Sequence, residues 1–208
     1  MSRPIIVAVG GFASNVGKTT LMCELLRARP GWEAIKTTRG HYRSCGKDPH
    51  ACCVSHLLSD EPVIRSGRDQ TYATGKDTGR YWDAGASNVH WLITTEDQVE
   101  KGIKGTLERV QSEGVFIEGN SFTRFVDVDY LIMVAGGDDL KIKGSARRAL
   151  AKASALYMRE ETQRDSFSAW SRHCGLESLT SRLPIYSPQS FPELLADLSK
   201  INFPVVLY

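Results

Sequence analysis

An unbroken apolar run that ends in two glycines and is followed by a helical pattern constrains this chain more than any other feature. Residues 4–9 read PIIVAV and stop at Gly10 and Gly11. Such a run, rich in β-branched residues, is typical of a strand buried on both faces of a parallel sheet. Residues 18–29 then carry leucines at helical spacing before a Pro-Gly pair. The sequence therefore predicts a strand, a glycine-rich turn and a helix in succession.

The turn between this strand and this helix has the composition of a phosphate-binding loop. It reads GFASNVGKTT from Gly11 to Thr20. At such a position the backbone N–H groups of the loop and of the helix N-terminus converge on phosphate oxygens. We expect Lys18 to neutralise the β- and γ-phosphates and Thr19 to offer its hydroxyl to Mg²⁺.

The spacing of the loop differs by one residue from the common G-x-x-x-x-G-K-[ST] motif, since five residues separate Gly11 from Gly17. A structural glycine turn with an accidental Gly-Lys-Thr is the alternative, but the flanking strand and helix favour a phosphate loop. The residues predicted to bind nucleotide here are Gly11, Asn15, Val16, Gly17, Lys18, Thr19 and Thr20.

Strand and helix patterns alternate along most of the remaining chain. Strands are predicted at residues 32–38, 89–94, 115–118, 130–135 and 154–158, and helices at residues 96–112, 145–153, 166–174 and 192–198. This alternation predicts an α/β fold with a mostly parallel sheet flanked by helices, and ligands at the carboxyl ends of the strands. A chain of 208 residues is expected to form a single domain over residues 1–208.

Residues 39–84 interrupt the alternation. They are rich in Gly, Ser, Asp, His and Cys and show no long periodicity. Because plain connections seldom exceed about 15 residues, we interpret this segment as an inserted irregular lobe over the active face of the sheet.

Four charged side chains are candidates for the chemistry of the site. Glu118 ends a predicted strand, a placement that favours a carboxylate that holds Mg²⁺ or orients water, with a cap on the following turn as the alternative. Asp77 is either a site residue or the N-cap of a short helix that begins near Thr78. Lys76 and Arg80 can reach phosphate oxygens, but such side chains are more often solvated.

Three segments resemble one branch of P-loop proteins. The extended loop is similar to that of dethiobiotin synthetase and of molybdopterin-guanine dinucleotide biosynthesis protein B (MobB). Residues 75–86 read GKDTGRYWDAGA, which resembles the G-K-D-S-x-R-x-x-x-A-G-A signature of the MobB family. Residues 116–119, FIEG, look like that family's strand ending in V-E-G.

This resemblance implies a P-loop NTPase fold of the MobB and dethiobiotin synthetase branch that binds GTP and Mg²⁺ and assists molybdenum cofactor assembly. It implies catalytic roles for Lys18, Glu118 and Arg80, nucleotide contacts from Lys76 and Asp77, and Mg²⁺ ligands in Thr19 and Glu118. Lys36 stands where the family has a lysine before histidines, which Thr37, Thr38 and Arg39 replace here.

A dense group of cysteines and histidines lies between residues 41 and 56. Thiolates and imidazoles suit Zn²⁺ or an iron–sulfur centre. Against a metal, no C-x-x-C pair is present, and adjacent cysteines seldom ligate one ion, so buried apolar positions are the alternative. The candidate ligands are His41, Cys45, His50, Cys52, Cys53 and His56.

Composition and charge limit the partners and the cellular compartment that we expect. A net charge of +2 gives no field that favours nucleic acid or an anionic membrane. No apolar stretch approaches the ~20 residues that span a bilayer, and the N-terminus lacks a signal-peptide pattern. Five cysteines, an odd number, fit a reducing compartment. We therefore expect a cytoplasmic protein.

Two functions compete on these grounds. One is a slow GTPase that works with a cofactor-assembly protein, and the other is an ATP-dependent small-molecule kinase or ligase akin to dethiobiotin synthetase. The chain contains no N-K-x-D guanine signature, so the residues leave GTP and ATP both open. A homodimer is expected by analogy with this branch of P-loop proteins.

Overall fold

A computed structural model describes residues 3–40, 54–136, 142–160 and 163–201. Its strands are β1 (Ile5–Gly11), β2 (Glu33–Arg39), β3 (Val63–Ser66), β4 (Val89–Thr94), β5 (Gly114–Glu118), β6 (Tyr130–Ala135), β7 (Ala155–Met158) and β8 (Ile185–Tyr186). They form one sheet in the order β3-β4-β2-β5-β1-β6-β7-β8. All neighbours are parallel except β3, which runs antiparallel to β4. The predicted mostly parallel α/β sheet is confirmed.

Helices cover both faces of this sheet. They are α1 (Lys18–Ala28), α2 (Arg68–Thr71), α3 (Asp77–Asp83), α4 (Val99–Leu107), α5 (Gly144–Leu150), α6 (Gln163–His173), α7 (Glu177–Thr180) and α8 (Phe191–Ser199), with short 3-10 turns at Ser55–Leu57, Ser121–Arg124 and Pro188–Ser190. Among the residues described, none of these helices is both long enough and apolar enough to cross a membrane.

Strand β1 lies at the centre of the sheet, between β5 and β6, and every one of its residues is buried. Ile5, Val7 and Val9 join the core under α1. Ile6 and Ala8 point to the opposite face and join the core under α4 and α5. The two-residue period of a strand thus serves two cores, which explains why the run is apolar at every position.

The helix predicted at residues 96–112 is shorter in the structure, where α4 spans Val99–Leu107. At its start, residues 96–98 form a turn in which the side chain of Gln98 accepts from the backbone N–H of Thr95. At its end, the N–H groups of Arg109 and Val110 bond three residues back, which tightens the chain into a turn. Polar side chains and turn geometry therefore shorten the helix that the apolar pattern indicated.

The described part of residues 39–84 is more regular than the sequence indicated. Strand β3 extends the sheet beyond β4, and α2 and α3 follow it. Tyr81 and Ala84 are buried in the core that contains α1, and the thiol of Cys23 in α1 contacts the carbonyl oxygen of Arg80 at 3.6 Å. Packing against α1 places the first turn of α3 beside the loop after β1.

Candidate phosphate-binding site

The loop between β1 and α1 is shaped by two residues with left-handed backbone. Asn15 has φ 60°, and Gly17, directly before α1, has φ 101°. A Cβ at position 17 would lie 2.8 Å from Cδ of Arg159, which follows β7. Gly17 therefore allows both the turn into the helix and the close approach of the arginine. The N–H of Leu21 then donates to the carbonyl oxygen of Gly17 at 3.1 Å, in the first turn of α1.

Asn120 braces the start of the loop. Its side-chain oxygen accepts from the N–H of Gly11 at 2.9 Å, and its amide nitrogen donates to the carbonyl oxygen of Gly11 at 2.8 Å. Two bonds to one residue fix the end of β1 relative to the end of β5. The sequence does not predict this role, because a single asparagine after a strand carries no local signal for a partner 109 residues away.

Lys18 lies folded back along the loop. Its ammonium group donates to the carbonyl oxygen of Ala13 at 3.1 Å. Burial lowers the pKa of Lys18, the charge of Glu118 opposes that shift, and the charges of Lys36 and Lys143 add to it. A bound phosphate would offset the cost of burying the Lys18 ammonium group, because its negative charge favours the charged form of the lysine.

Glu118 receives hydrogen bonds from three sides. Its Oε1 lies 2.5 Å from Nζ of Lys36, and its Oε2 accepts from the hydroxyl of Thr19 at 3.0 Å. The buried hydroxyl of Tyr81 also donates to Oε2. Burial and the charge of Glu118 raise the pKa of Tyr81 well above its ordinary value, so this phenol stays a donor. The carboxylate is only 4% exposed, and these donors compensate for its burial.

Lys36 links Glu118 to Asp77. Its Nζ lies 2.7 Å from Oδ2 of Asp77. Burial opposes the charged form of both groups, but the attraction and hydrogen bonds between them prevail: the pKa of Lys36 is raised and that of Asp77 is lowered. Asp77 is the first residue of α3, and Lys76 before it makes no side-chain capping bond. Asp77 thus points into the site.

These side chains surround an open cavity of about 570 Å³ at the carboxyl ends of β1, β2 and β5. Among the predicted site residues, its wall contains Asn15, Gly17, Lys18, Thr19, Thr20, Asp77, Arg80 and Glu118. Lys76 is exposed and lies outside this wall, and the side chain of Val16 is buried in the core. Lys36, Arg39, Lys143 and Arg159 also line the cavity and were not predicted to do so.

The oxygen atoms of this cavity suit Mg²⁺. Thr19, Asp77 and Glu118 bring a hydroxyl and two carboxylates together, and hard oxygen donors are the ligands that Mg²⁺ prefers. The predicted zinc or iron–sulfur ligands are placed differently: His41, Cys45, His50, Cys52 and Cys53 lie outside the described residues. His56 is exposed in a 3-10 turn. Within the described ranges, no group of three or more His, Cys, Asp or Glu side chains is arranged to hold a metal ion.

Comparisons with known proteins identify the fold. No protein-family model and no curated protein matches the chain. The crystal structure of HypB from Helicobacter pylori in complex with nickel is similar, with a TM-score of 0.51 and 17% identity over 95% of this chain and 87% of that one. With β1, its glycine-rich loop and the parallel sheet, this likeness shows a P-loop NTPase fold.

Two further solved structures match with TM-scores below 0.5. LpxK from Aquifex aeolicus in complex with ATP gives a TM-score of 0.48 and 19% identity over 78% of this chain. The chain spans 50% of the length of that LpxK chain. A Zn(II)-bound triple mutant of the GTPase YjiA gives a TM-score of 0.39 and 14% identity over 90% of this chain and 58% of that one.

Proposed function

We propose that the protein binds a nucleoside triphosphate with Mg²⁺ in the cavity above β1 and hydrolyses it slowly. One observation carries this proposal: Lys18 and Thr19 of the loop share the cavity with Glu118, whose carboxylate lies 3.0 Å from the hydroxyl of Thr19. A lysine and a hydroxyl at a helix N-terminus, with a carboxylate opposite them, are the groups that bind a triphosphate and its metal ion in P-loop proteins.

Each residue of the site has a distinct part in this proposal. Lys18 exchanges its bond to the loop carbonyl for phosphate oxygens and offsets the charge that develops on the leaving diphosphate. Thr19, Asp77 and Glu118 would hold Mg²⁺, which when bound adds positive charge beside the phosphates. Arg80 lines the same cavity, where its guanidinium can contact the terminal phosphate.

The test is a thermal-shift titration with Mg²⁺ and either GTP or ATP. A ligand present at 100 times its dissociation constant stabilises the fold by about 2.7 kcal/mol. Lys18→Ala should lose this shift, while Lys101→Ala, whose side chain is 70% exposed and pairs with Glu61, should keep it. Absence of a shift with both nucleotides would contradict the proposal.

The resemblance to MobB supports a more specific form of this function, in which GTP is the nucleotide and the protein assists molybdenum cofactor assembly with a partner protein. Asp77 and Arg80 of the MobB-like segment both line the cavity. A larger thermal shift with GTP than with ATP, lost in Asp77→Asn, is expected for this form. Equal shifts would leave the nucleotide site intact but remove the support for guanine.

An acceptor-dependent kinase or ligase is the second candidate. One observation favours it: a further cavity of about 250 Å³ adjoins the phosphate loop at Gly11 and Ala13. A hydrolase that uses water alone has no need of this space. An enzyme of this kind should consume triphosphate quickly only when its acceptor is present, whereas a GTPase switch should respond to a protein partner.

A further inference from the structure

Two cavities meet at the phosphate loop and share a wall. The larger cavity lies over Gly17, Thr19 and Thr20, and the smaller one over Gly11 and Ala13. The residues common to both walls are Lys18, Thr37, Arg39, Gly119 and Lys143. The side chain of Lys18, which reaches from α1 back to the carbonyl oxygen of Ala13, marks the boundary between them.

The charges of the two walls differ. The larger cavity contains both carboxylates of the site, Asp77 and Glu118. Among the described residues, the wall of the smaller one contains Lys18, Arg39 and Lys143 but no Asp or Glu. Arg39 is bound to Glu96, which lies outside this wall. Lys18, Arg39 and Lys143 line both cavities, so among the described residues the two walls differ in their carboxylates and not in these three cations.

Hydroxyl groups complete the smaller wall. Thr37 donates its hydroxyl proton to the carbonyl oxygen of Glu118 at 2.7 Å, which leaves the oxygen free to accept. Ser121 and Ser145 contribute two more hydroxyls. The amide of Asn120 is engaged with Gly11. Ser121 and Ser145 therefore place hydroxyl donors beside the cations of the wall, a combination that suits an oxyanion, whereas Thr37 presents only an acceptor.

The smaller cavity also has the right position relative to a triphosphate. With the helix N-terminus and the acidic residues on the Thr19 side, Lys18 contacts the terminal phosphate at the boundary. The nucleophile in phosphoryl transfer approaches in line with the leaving group, from the far side of that phosphate. A phosphate held by Lys18 would have the smaller cavity beside it, because Lys18 lines both walls. The volume of this cavity, about 250 Å³, exceeds the ~30 Å³ of a water molecule.

We propose that the smaller cavity is a subsite for a small oxyanion, a carboxylate or a phosphate, that binds together with the triphosphate. Lys143 and Arg39 attract its charge, and Ser121 and Ser145 donate hydrogen bonds to its oxygens. The inference rests on the proposed nucleotide site and adds the chemical class of the second ligand. A bound oxyanion here would lie beside a phosphate that Lys18 holds, since Lys18 lines both cavities.

The test measures anion binding to protein whose nucleotide site is already filled. The protein is saturated with Mg²⁺ and the non-hydrolysable β,γ-imido analogue of GTP or ATP, whichever binds. Orthophosphate and malonate are then titrated by calorimetry, because they represent the phosphate and the carboxylate class. At least one of them should bind with a stoichiometry of one.

Variants locate that binding. Lys143→Gln removes a cation from the smaller wall, and Ser145→Ala removes a hydroxyl. Each variant should bind the anion about tenfold more weakly or worse, because a hydrogen bond to a charged group contributes that much. Lys101→Gln, on an exposed lysine paired with Glu61, is the matched control and should bind the anion as the wild type does. Thermal unfolding of each variant confirms that it is folded.

Each outcome decides the proposal. If neither anion binds to the analogue-loaded protein, the loop holds one phosphate chain only, and the subsite is refuted while the nucleotide function stands. If an anion binds with equal affinity to Lys143→Gln and to wild type, it binds elsewhere and the location is wrong. If the analogue itself fails to bind, the proposed function fails and the subsite fails with it.

Discussion

The ammonium group of Lys36 lies 2.5 Å from the carboxylate of Glu118, where it joins the carboxyl end of β2 to that of β5. The same group also bonds Asp77 at the start of α3. One lysine thus pairs with both carboxylates of the site, and its positive charge offsets the repulsion between them. The side chain of Lys36 is only 17% exposed, so water screens the interaction weakly.

Loss of this cation should destabilise the protein strongly. Lys36→Gln leaves Glu118, which is 4% exposed, without its charged partner, and removal of one member of a buried pair typically costs about 3–5 kcal/mol. Lys104→Gln breaks an exposed pair with Glu100 and should cost less than about 0.5 kcal/mol. Urea unfolding of both variants measures the difference, and equal costs would show that Lys36 is not structurally required.

The pairing of Asp77 should make stability depend on pH in the acid range. Because the pKa of Asp77 is lower in the folded protein than its usual 3.8, the unfolded chain takes up the proton first as the pH falls. The contribution is complete above the usual pKa and disappears as the pH drops through the folded one. The difference in unfolding free energy between wild type and Asp77→Asn should therefore shrink from pH 6 towards pH 3. A constant difference would contradict this account.

The sequence predicts the centre of this molecule well for a physical reason. The first strand, the loop and α1 are adjacent in the chain, and the strand is buried on both faces, so its apolar run and the following glycines report the local structure directly. Lys18 and Thr19 then follow from their place at the helix N-terminus. Their position in the loop is set by neighbours a few residues away.

The edge of the sheet and the braces of the site could not be predicted in the same way. Strand β3 has four half-buried residues, too few for a periodic pattern, and it exists because it pairs with β4. Asn120 hydrogen-bonds Gly11, which lies 109 residues away in the chain, and Lys36 hydrogen-bonds Glu118, which lies 82 residues away. Such roles depend on which strands become neighbours, and no local pattern records that.

Glu118 should control the magnesium dependence of nucleotide binding. Glu118→Gln keeps the shape of the side chain but removes the charge that faces Thr19. Loss of a group that binds or orients a metal ion typically lowers metal affinity about 10–100-fold. The Mg²⁺ concentration that gives half of the nucleotide-induced thermal shift should rise accordingly. Glu100→Gln, on an exposed face of α4, is the control. An unchanged Mg²⁺ requirement would place the metal elsewhere.

Gly119 should tolerate no side chain beside Thr37. Its φ is +149°, and a Cβ there would lie 1.9 Å from the hydroxyl oxygen of Thr37, whereas at Gly31, with φ +89°, a Cβ meets nothing within 4 Å. Gly31→Ala should cost the backbone strain alone, about 1–2 kcal/mol, and Gly119→Ala about 1–3 kcal/mol more from overpacking.

A second variant assigns the cause of that extra cost. Thr37→Ala removes the clashing oxygen, so the double variant Thr37→Ala/Gly119→Ala should recover part of the lost stability relative to the sum of the single variants. Chemical denaturation of all four proteins gives the coupling free energy. A coupling of zero would mean that the clash with Thr37 does not cause the loss.

Glu33 should be the most sensitive acidic residue away from the cavity. Its Oε1 accepts from the N–H groups of Gln111 and Ser112 at 2.7 and 2.8 Å, and its Oε2 lies 2.6 Å from Nε2 of His90. Burial raises the pKa of Glu33, but these hydrogen bonds outweigh that effect and lower it. The carboxylate therefore ties β2 to β4 and to the turn before β5 at the amino ends of the strands.

Glu33→Ala should cost about 1–3 kcal/mol for each buried donor that it leaves without a partner, since the Glu33 side chain is only 3% exposed. Glu61→Ala, on a carboxylate that is 66% exposed, should cost less than about 1 kcal/mol. Since the folded pKa of Glu33 is lowered, its contribution is present above the unfolded value and is lost as the pH falls through the folded one. The gap between the two variants in urea unfolding should therefore narrow in acid, and a gap absent at pH 7 would refute this role for Glu33.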